Sequence, residues 1–187
     1  MVAAYIVVAV VVLLVLWYIA TNNSLIRARN KVDEAWSGID VQLKRRHDLV
    51  PNLVETVKGY AAHERETLQR VTDARANAMA AQNAPPAERS QAESGLSAAL
   101  GGIHAVAEQY PQLRATENFQ RLQAQLAEIE DEIQASRRIY NSNVQIYNTR
   151  IQIFPNSLVA ARGGFEPREF FEIQVPTERD VPAVSFT

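Results

Sequence analysis

The sequence predicts an all-α protein with one N-terminal transmembrane helix, long helices after it and an irregular aromatic tail. Three observations predict this class. Residues 1–20 are apolar without interruption, and the first charged residue is Arg27. Apolar residues then recur at helical spacing for more than a hundred residues. Prolines divide these apolar stripes into four segments, because proline interrupts helices.

The apolar run is long enough to cross a membrane. Twenty helical residues rise about 30 Å, the thickness of a hydrocarbon core. Tyr5 lies near one end of the run, and Trp17 and Tyr18 near the other, where aromatic belts contact lipid. A cleaved signal peptide is the alternative, but it requires a charged leader and a small-residue cleavage site, which this run lacks. We therefore expect residues 1–23 to form a membrane anchor.

The basic residues predict an orientation. Arg27, Arg29 and Lys31 follow the run closely, and none precedes it. The positive-inside rule then places the amino end outside and the body in the cytoplasm, which predicts a single-pass membrane protein. We expect the same three cations to contact lipid headgroups, because they lie close to the membrane surface. The net charge of −2 argues against a nucleic-acid binder, which would show a concentrated basic face.

Two apolar stripes follow the anchor. The first contains Leu25, Val32, Trp36, Ile39 and Leu43, and the second runs from Val50 to Ala78. Between them, Asp48 precedes Pro51 at the spacing of a helix cap followed by a first-turn proline. We expect a break or turn there. A continuous helix kinked at Pro51 is the alternative.

The third and fourth segments lie between further prolines. The third runs from about Glu88 to Gln109 and is weakened by three interior glycines. The fourth runs from Pro111 to about Phe154, with a buried stripe that shifts as a straight helix drifts against a seven-residue repeat. This drift favours a globular bundle over a supercoiled rod. The stripe contains Phe119, Leu122, Leu126, Ile129, Ile133, Tyr140, Val144, Tyr147, Ile151 and Phe154.

The C-terminal residues 157–187 form a tail of different composition. Disordered segments are poor in aromatics, so this tail is expected to dock on the bundle, the membrane or a neighbouring subunit. We predict that it contacts another subunit, through side chains that are too apolar for a solvated extension. A tail folded back on its own bundle is the competing outcome. The predicted contacts are Phe165, Phe170, Phe171, Ile173 and Val175.

No residue pattern indicates an enzyme, a cofactor or a metal. His47, His63 and His104 are scattered without ligand spacing, and the chain has no Cys. Phosphate-binding loops and nucleophile elbows are also missing from the sequence. We therefore predict a protein that is not an enzyme and has no cofactor.

A few polar residues are predicted to have structural roles. Besides Asp48, they are Glu130 and Arg137, which flank the fourth stripe. Flanking charges usually select helix partners, and a partly buried network recruiting Tyr140 is the alternative. Asn141 and Asn148 each follow a tyrosine of the stripe, and their amides are suited to satisfy the backbone of a docked tail.

Several long motifs resemble those of the LemA family of bacterial membrane proteins. They include Arg46-His47-Asp48-Leu49-Val50-Pro51-Asn52-Leu53, Glu108-Gln109-Tyr110-Pro111, Asn118-Phe119-Gln120-Arg121-Leu122 and Arg137-Arg138-Ile139-Tyr140-Asn141. The resemblance covers nearly the whole chain and matches the tail more loosely. It implies a transmembrane helix followed by an antiparallel four-helix bundle, here residues 24–156, and it implies no catalytic site.

These observations lead to a structural function. We expect a membrane-anchored scaffold that binds lipid, self-associates as a homo-oligomer, and organises or shapes the membrane. The alternative is a tethered adaptor in signalling or envelope-stress regulation that binds a partner membrane protein. Particle size distinguishes the two, since a scaffold is expected to be a large homogeneous oligomer.

Overall fold

The structure is a computed structural model that describes residues 1–172. This part of the chain is helical and contains no strand, which confirms the all-α class. The four-helix bundle and its antiparallel arrangement stay predictions. The helices are α1 (Val2–Lys58), α2 (Arg65–Ala80), α3 (Pro86–Gln109), α4 (Pro111–Arg114), α5 (Glu117–Gln152) and α6 (Asn156–Gly163), and a 3-10 turn (Ala81–Asn83) follows α2.

The chain forms two compact units. Unit 1 comprises Met1–Gly38 and Arg138–Phe170, and unit 2 comprises Ile39–Arg137 and the chain from Phe171. The boundaries of the units lie inside α1 and α5, so each of these helices contributes to both units. The predicted division at residues 23 and 156 stays a prediction.

The first part of α1 is an exposed apolar helix. Every side chain from Val2 to Ala20 is solvent-accessible, and this stretch is long and apolar enough to cross a membrane. From Thr21 onward, the same helix buries one face, beginning with Leu25, which is 1% exposed. One continuous helix therefore carries both the apolar segment and part of the folded core.

The predicted break at Pro51 is wrong. Pro51 lies inside α1, and Asp48 is an exposed residue paired with Lys44 (3.0 Å) rather than a helix cap. A proline inside a helix deprives the carbonyl four residues earlier of its N–H donor. Here that carbonyl belongs to His47, and Arg75 Nε donates to it at 2.7 Å. A side chain on α2 thus supplies the missing hydrogen bond.

The predicted fourth helix begins later than expected. Pro111 opens only the short α4, and α5 begins at Glu117. Thr116 separates them: its hydroxyl donates to the Leu113 carbonyl (2.7 Å) and accepts from the Phe119 N–H (3.4 Å). A threonine immediately before a helix commonly satisfies such free N–H groups.

The apolar stripe of α5 follows the predicted drift. Nine of its ten predicted members, from Phe119 to Ile151, are buried, whereas Phe154 is 79% exposed. Phe154 differs because α5 ends at Gln152, before the turn that leads into α6. In unit 2, the buried residues of α1, α2, α3 and α5 form one core, centred on side chains such as Leu53, Val71, Leu96 and Ile103.

Candidate functional sites

A buried ionic cluster lies in unit 2 around Arg46 of α1. The Arg46 side chain is fully buried. Its Nη2 donates to Glu93 Oε2 on α3, and its Nη1 donates to Glu130 Oε1 on α5 (2.7 Å) and to Ser97 Oγ (2.9 Å). One guanidinium therefore binds side chains of two other helices. Arginine suits this arrangement because its several N–H donors form a fixed planar fork.

Glu93 is the buried anion of this cluster. Besides Arg46, its carboxylate contacts His47, whose Nε2 lies 3.0 Å from Glu93 Oε1. Burial pushes the pKa of Glu93 upward, but the hydrogen bond from His47 and the charge of Arg46 outweigh it and leave the pKa lowered. Glu93 is therefore an ionised partner at neutral pH. A second pair, Arg89 with Asp40, joins α3 to α1 in the same unit.

The cluster is suited to select which helices meet. Removing one partner of a buried ion pair is strongly destabilising, so misaligned helices would be penalised. Glu130, predicted to have a structural role, belongs to this cluster through Arg46. Its role in selecting helix partners stays a prediction. Arg137 is half-buried on α5. Sequence reasoning missed Arg46 and Glu93 because nothing local marks partners that lie 47 residues apart.

A second polar site, in unit 1, holds the first part of the tail. We call it the tail clamp: the side chains of Tyr140, Tyr147 and Asn148 against the backbone of residues 166–169. The Tyr147 hydroxyl donates to the Glu166 carbonyl (2.9 Å), and the Tyr140 hydroxyl donates to the Glu169 carbonyl (2.8 Å).

Asn148 makes the most specific contact of the tail clamp. Its Nδ2 donates to the Arg168 carbonyl and its Oδ1 accepts from the Arg168 N–H, both at 2.8 Å. The side-chain amide thereby pairs with a backbone peptide much as a neighbouring strand would. The Arg168 guanidinium continues to Asp33 on α1 at 3.1 Å.

Burial makes the two tyrosines of the clamp poor acids. It raises the pKa of Tyr140 to about 12, a rise that the nearby Arg168 opposes and the carboxylates of Glu169 and Asp33 reinforce. Burial likewise raises the pKa of Tyr147. Both hydroxyls therefore stay protonated donors at any physiological pH.

The tail residues described by the structure lie on their own chain. Phe171 is fully buried, and the guanidinium carbon of Arg29 lies 5.6 Å from the centre of the Phe165 ring. The predicted contact of these residues with another subunit stays a prediction. Phe170 is 43% exposed. Ile173 and Val175 lie outside the described residues.

The remaining predicted residues lie as follows. Tyr5 is exposed (73%), and Trp17 and Tyr18 are each 38% exposed. Arg27 and Lys31 are exposed on α1, and Asn141 is half-buried beside Tyr140. Within residues 1–172, no group of three or more His, Asp or Glu side chains is arranged to hold a metal ion.

A shallow groove runs between α3 and α5 in unit 2. Its volume is about 260 Å³, and its lining includes His104, Leu126 and Glu130. Gln123 also lines it, and its buried Nε2 donor has no acceptor within the described part of the chain. This groove offers a polar and apolar surface to a partner.

Together, the exposed apolar segment, the helical units and the buried ionic cluster define a helical protein whose N-terminal helix is suited to cross a membrane. The match to the LemA family covers residues 35–186, and the chain belongs to that family.

Three relatives give the scale of the similarity. Protein LemA of Metamycoplasma hominis is 31% identical over 66% of this chain and 56% of its own length. Magnetosome protein MamQ 2 of Paramagnetospirillum magneticum is 25% identical over 86% of this chain and 70% of its own. Magnetosome protein MamQ of Magnetospirillum gryphiswaldense is 24% identical over 72% of this chain and 58% of its own length. The chain thus spans little more than half of the LemA relative. Family membership and these relatives suggest a membrane-associated protein.

Proposed function

We propose that this protein is a non-enzymatic membrane scaffold that self-associates and organises or shapes the membrane. One observation carries the proposal: α1 is a single helix with a wholly exposed apolar first part and a remainder that buries one face. A helix of this kind anchors a folded body directly at the membrane surface, without a flexible linker.

Self-association is supported by an exposed apolar stripe on α5. Ile139 and Ile146 are 58% and 48% exposed, and they lie seven residues apart on the side of α5 that its own unit leaves uncovered. Apolar residues at this spacing form the seam between helices in coiled coils, so a second copy is a suitable partner. Phe170 of the tail is also exposed (43%).

The proposed location is the bacterial inner membrane, with the amino end outside and the body cytoplasmic. The cations Arg27, Arg29 and Lys31 follow the apolar segment on its body side, as the positive-inside rule requires. A reporter fused after Thr187 is expected to be active in the cytoplasm. Activity of a periplasmic reporter at the same site would reverse this topology.

The mass of the full chain in detergent tests self-association. We expect one large, homogeneous oligomer by size exclusion with light scattering. The double variant Ile139→Gln, Ile146→Gln is expected to lower the mass while circular dichroism stays unchanged. Val41→Gln, which replaces another exposed apolar residue (56%), is the matched control and keeps the mass of the wild type.

A monomeric wild type would overturn the scaffold and favour a tethered adaptor. The groove between α3 and α5, with the unsatisfied Nε2 of Gln123, is the observation that favours this second function. In that case a partner membrane protein would bind unit 2.

A further inference from the structure

The turn between α5 and α6, together with the exposed face of α6, forms an unexplained apolar corner on unit 1. Phe154 is 79% exposed, Leu158 is 62% exposed and Ile153 is 48% exposed. The neighbouring Val159 and Ala160 of α6 are buried, so this short helix has one packed and one open side. Clustered exposed apolar side chains of this size usually mark an interaction surface.

Contacts within unit 1 place this corner beside the end of the apolar segment. Asn143 Nδ2 donates to the Lys31 carbonyl (3.2 Å), and Arg150 Nη1 donates to Ser24 Oγ (3.2 Å). As α5 proceeds toward its C-terminus, it therefore meets α1 residues that lie progressively closer to Ala20.

The end of α6 also lies beside the α1 residues that directly follow the apolar segment. A Cβ on Gly163 would lie 3.6 Å from Asn22 Oδ1. Ser24 is four residues beyond Ala20, which corresponds to about 6 Å along a helix. The headgroup region of a bilayer extends roughly 5–8 Å beyond each side of the hydrocarbon core. The corner thus lies at headgroup depth if residues 2–20 cross the membrane.

The charge of this end of unit 1 complements an anionic lipid surface. Residues 1–32 and 143–165 contain five basic side chains and no Asp or Glu. The nearest carboxylates in sequence are Asp33 and Glu166, and Asp33 is already paired with Arg168. Basic residues beside a membrane attract anionic headgroups. The five are Arg27, Arg29, Lys31, Arg150 and Arg162.

We infer that the α5–α6 corner is a second membrane contact, in which Ile153, Phe154 and Leu158 insert into the headgroup region of an anionic bilayer beside the spanning helix. Interfacial helices bind in this way, with apolar side chains in the headgroup boundary and cations around them. The contact would fix the tilt and rotation of the body relative to the membrane. The inference depends on the proposed anchor.

Ile139 and Ile146 of α5, together with Ile153 in the turn just beyond its end, provide a depth series. Ile139, Ile146 and Ile153 have similar exposure and are spaced by seven residues, or about 10 Å along the helix. The chain has no Cys, so one cysteine at a time carries a fluorophore in the full-length protein. Leu158→Cys reports on α6, and Leu13→Cys reports on the anchor. The proteins are inserted into phosphatidylcholine vesicles with or without phosphatidylglycerol, containing lipid-attached nitroxide quenchers.

We expect quenching to be several-fold stronger at positions 153 and 158 than at position 139, with an intermediate value at position 146. Quenching at 153 and 158 should also be stronger when phosphatidylglycerol is present.

Equal quenching at 153 and 139 while position 13 is quenched would overturn the inference and leave the anchor intact. Absence of quenching at position 13 would overturn the anchor itself. A label at 153 that is shielded from water but not quenched by lipid would show that a second copy covers the corner, which also overturns the inference. Equal quenching in the two lipid mixtures would overturn the role of charge.

Discussion

At the scale of single residues, the most informative contact is the hydrogen bond from Arg75 to the His47 carbonyl. This hydrogen bond replaces the one that Pro51 cannot donate, and α1 is continuous where its sequence predicts a break. An unsatisfied buried carbonyl typically costs about 1–3 kcal/mol. The side chain of Arg75 therefore stabilises the continuous path of α1 at Pro51.

We predict that Arg75→Met lowers the free energy of unfolding by about 1–3 kcal/mol, and that Pro51→Ala removes most of this cost. Alanine at position 51 restores an N–H four residues after His47, so the carbonyl no longer needs Arg75. A double-mutant cycle by chemical denaturation in detergent measures the coupling. Arg70→Met, on the exposed side of α2, is the control and should change little. If Arg75→Met lowered the free energy of unfolding equally in the wild type and in Pro51→Ala, Arg75 would not be compensating for the proline.

The buried carboxylate of Glu93 makes stability depend on pH. Its pKa is lower in the folded protein than the usual 4.5. Its contribution is therefore complete above pH 4.5 and is lost as the pH falls through the lower folded-state pKa. Glu93→Gln should be less stable at neutral pH by about 3–5 kcal/mol, because Arg46 loses its buried partner.

The measurement for Glu93 is the thermal midpoint as a function of pH. The gap between the wild type and Glu93→Gln should narrow as the solution becomes acidic. Glu128→Gln, an exposed position on α5, should follow the wild type throughout. If the thermal midpoints of the wild type and Glu93→Gln differed by the same amount at every pH, the stabilising contribution of the Glu93 carboxylate would not depend on its ionisation.

At the scale of elements, the tail clamp attaches an irregular segment to a helix through side chains alone. Three residues of α5 bind the backbone of residues 166–169, and Asn148 supplies two of the four hydrogen bonds. Backbone recognition of this kind fixes the path of the chain without requiring particular tail side chains.

We predict that Asn148→Ala frees this part of the tail. The Arg168 N–H loses its acceptor, so its amide hydrogen should exchange at least several-fold faster, with smaller increases at its neighbours. Thr149→Ala, at the adjacent exposed position, should leave exchange unchanged. Hydrogen exchange with mass spectrometry on peptides covering residues 164–172 provides the measurement. Unchanged exchange in Asn148→Ala would mean that other contacts hold the tail.

Patterns of local sequence explain which elements were predictable. The apolar run and the stripe of α5 follow from side-chain periodicity, and both agree with the structure. The continuity of α1 depends on Arg75, 28 residues away, so no local pattern reveals it. The start of α5 was readable from Thr116 before Glu117, a helix-cap signal that the stronger heptad pattern obscured. The pairing of Arg46 with Glu93 required the tertiary fold.

At the scale of the whole molecule, the tail has one observed role, docking on its own chain, and one proposed role, contacting another subunit. Residues 164–172 make the intramolecular contacts, whereas Ile173 and Val175 lie beyond them. Two truncations therefore test the roles independently. One ends at Glu172 and removes only the residues beyond the docked part. The other ends at Gly163 and removes the docked part as well.

We expect the chain ending at Glu172 to keep the thermal midpoint of the wild type and to form a smaller particle, because only the proposed intersubunit contacts are lost. The chain ending at Gly163 should also unfold at a lower temperature, since it loses the buried ring of Phe171 and the hydrogen bonds to Tyr140, Tyr147 and Asn148. Burial of one such ring contributes about 1.5–3 kcal/mol. Light scattering and thermal denaturation in the same detergent give both quantities. A particle mass unchanged in both truncations would remove the tail from the oligomer and leave the stripe of Ile139 and Ile146 as its contact surface.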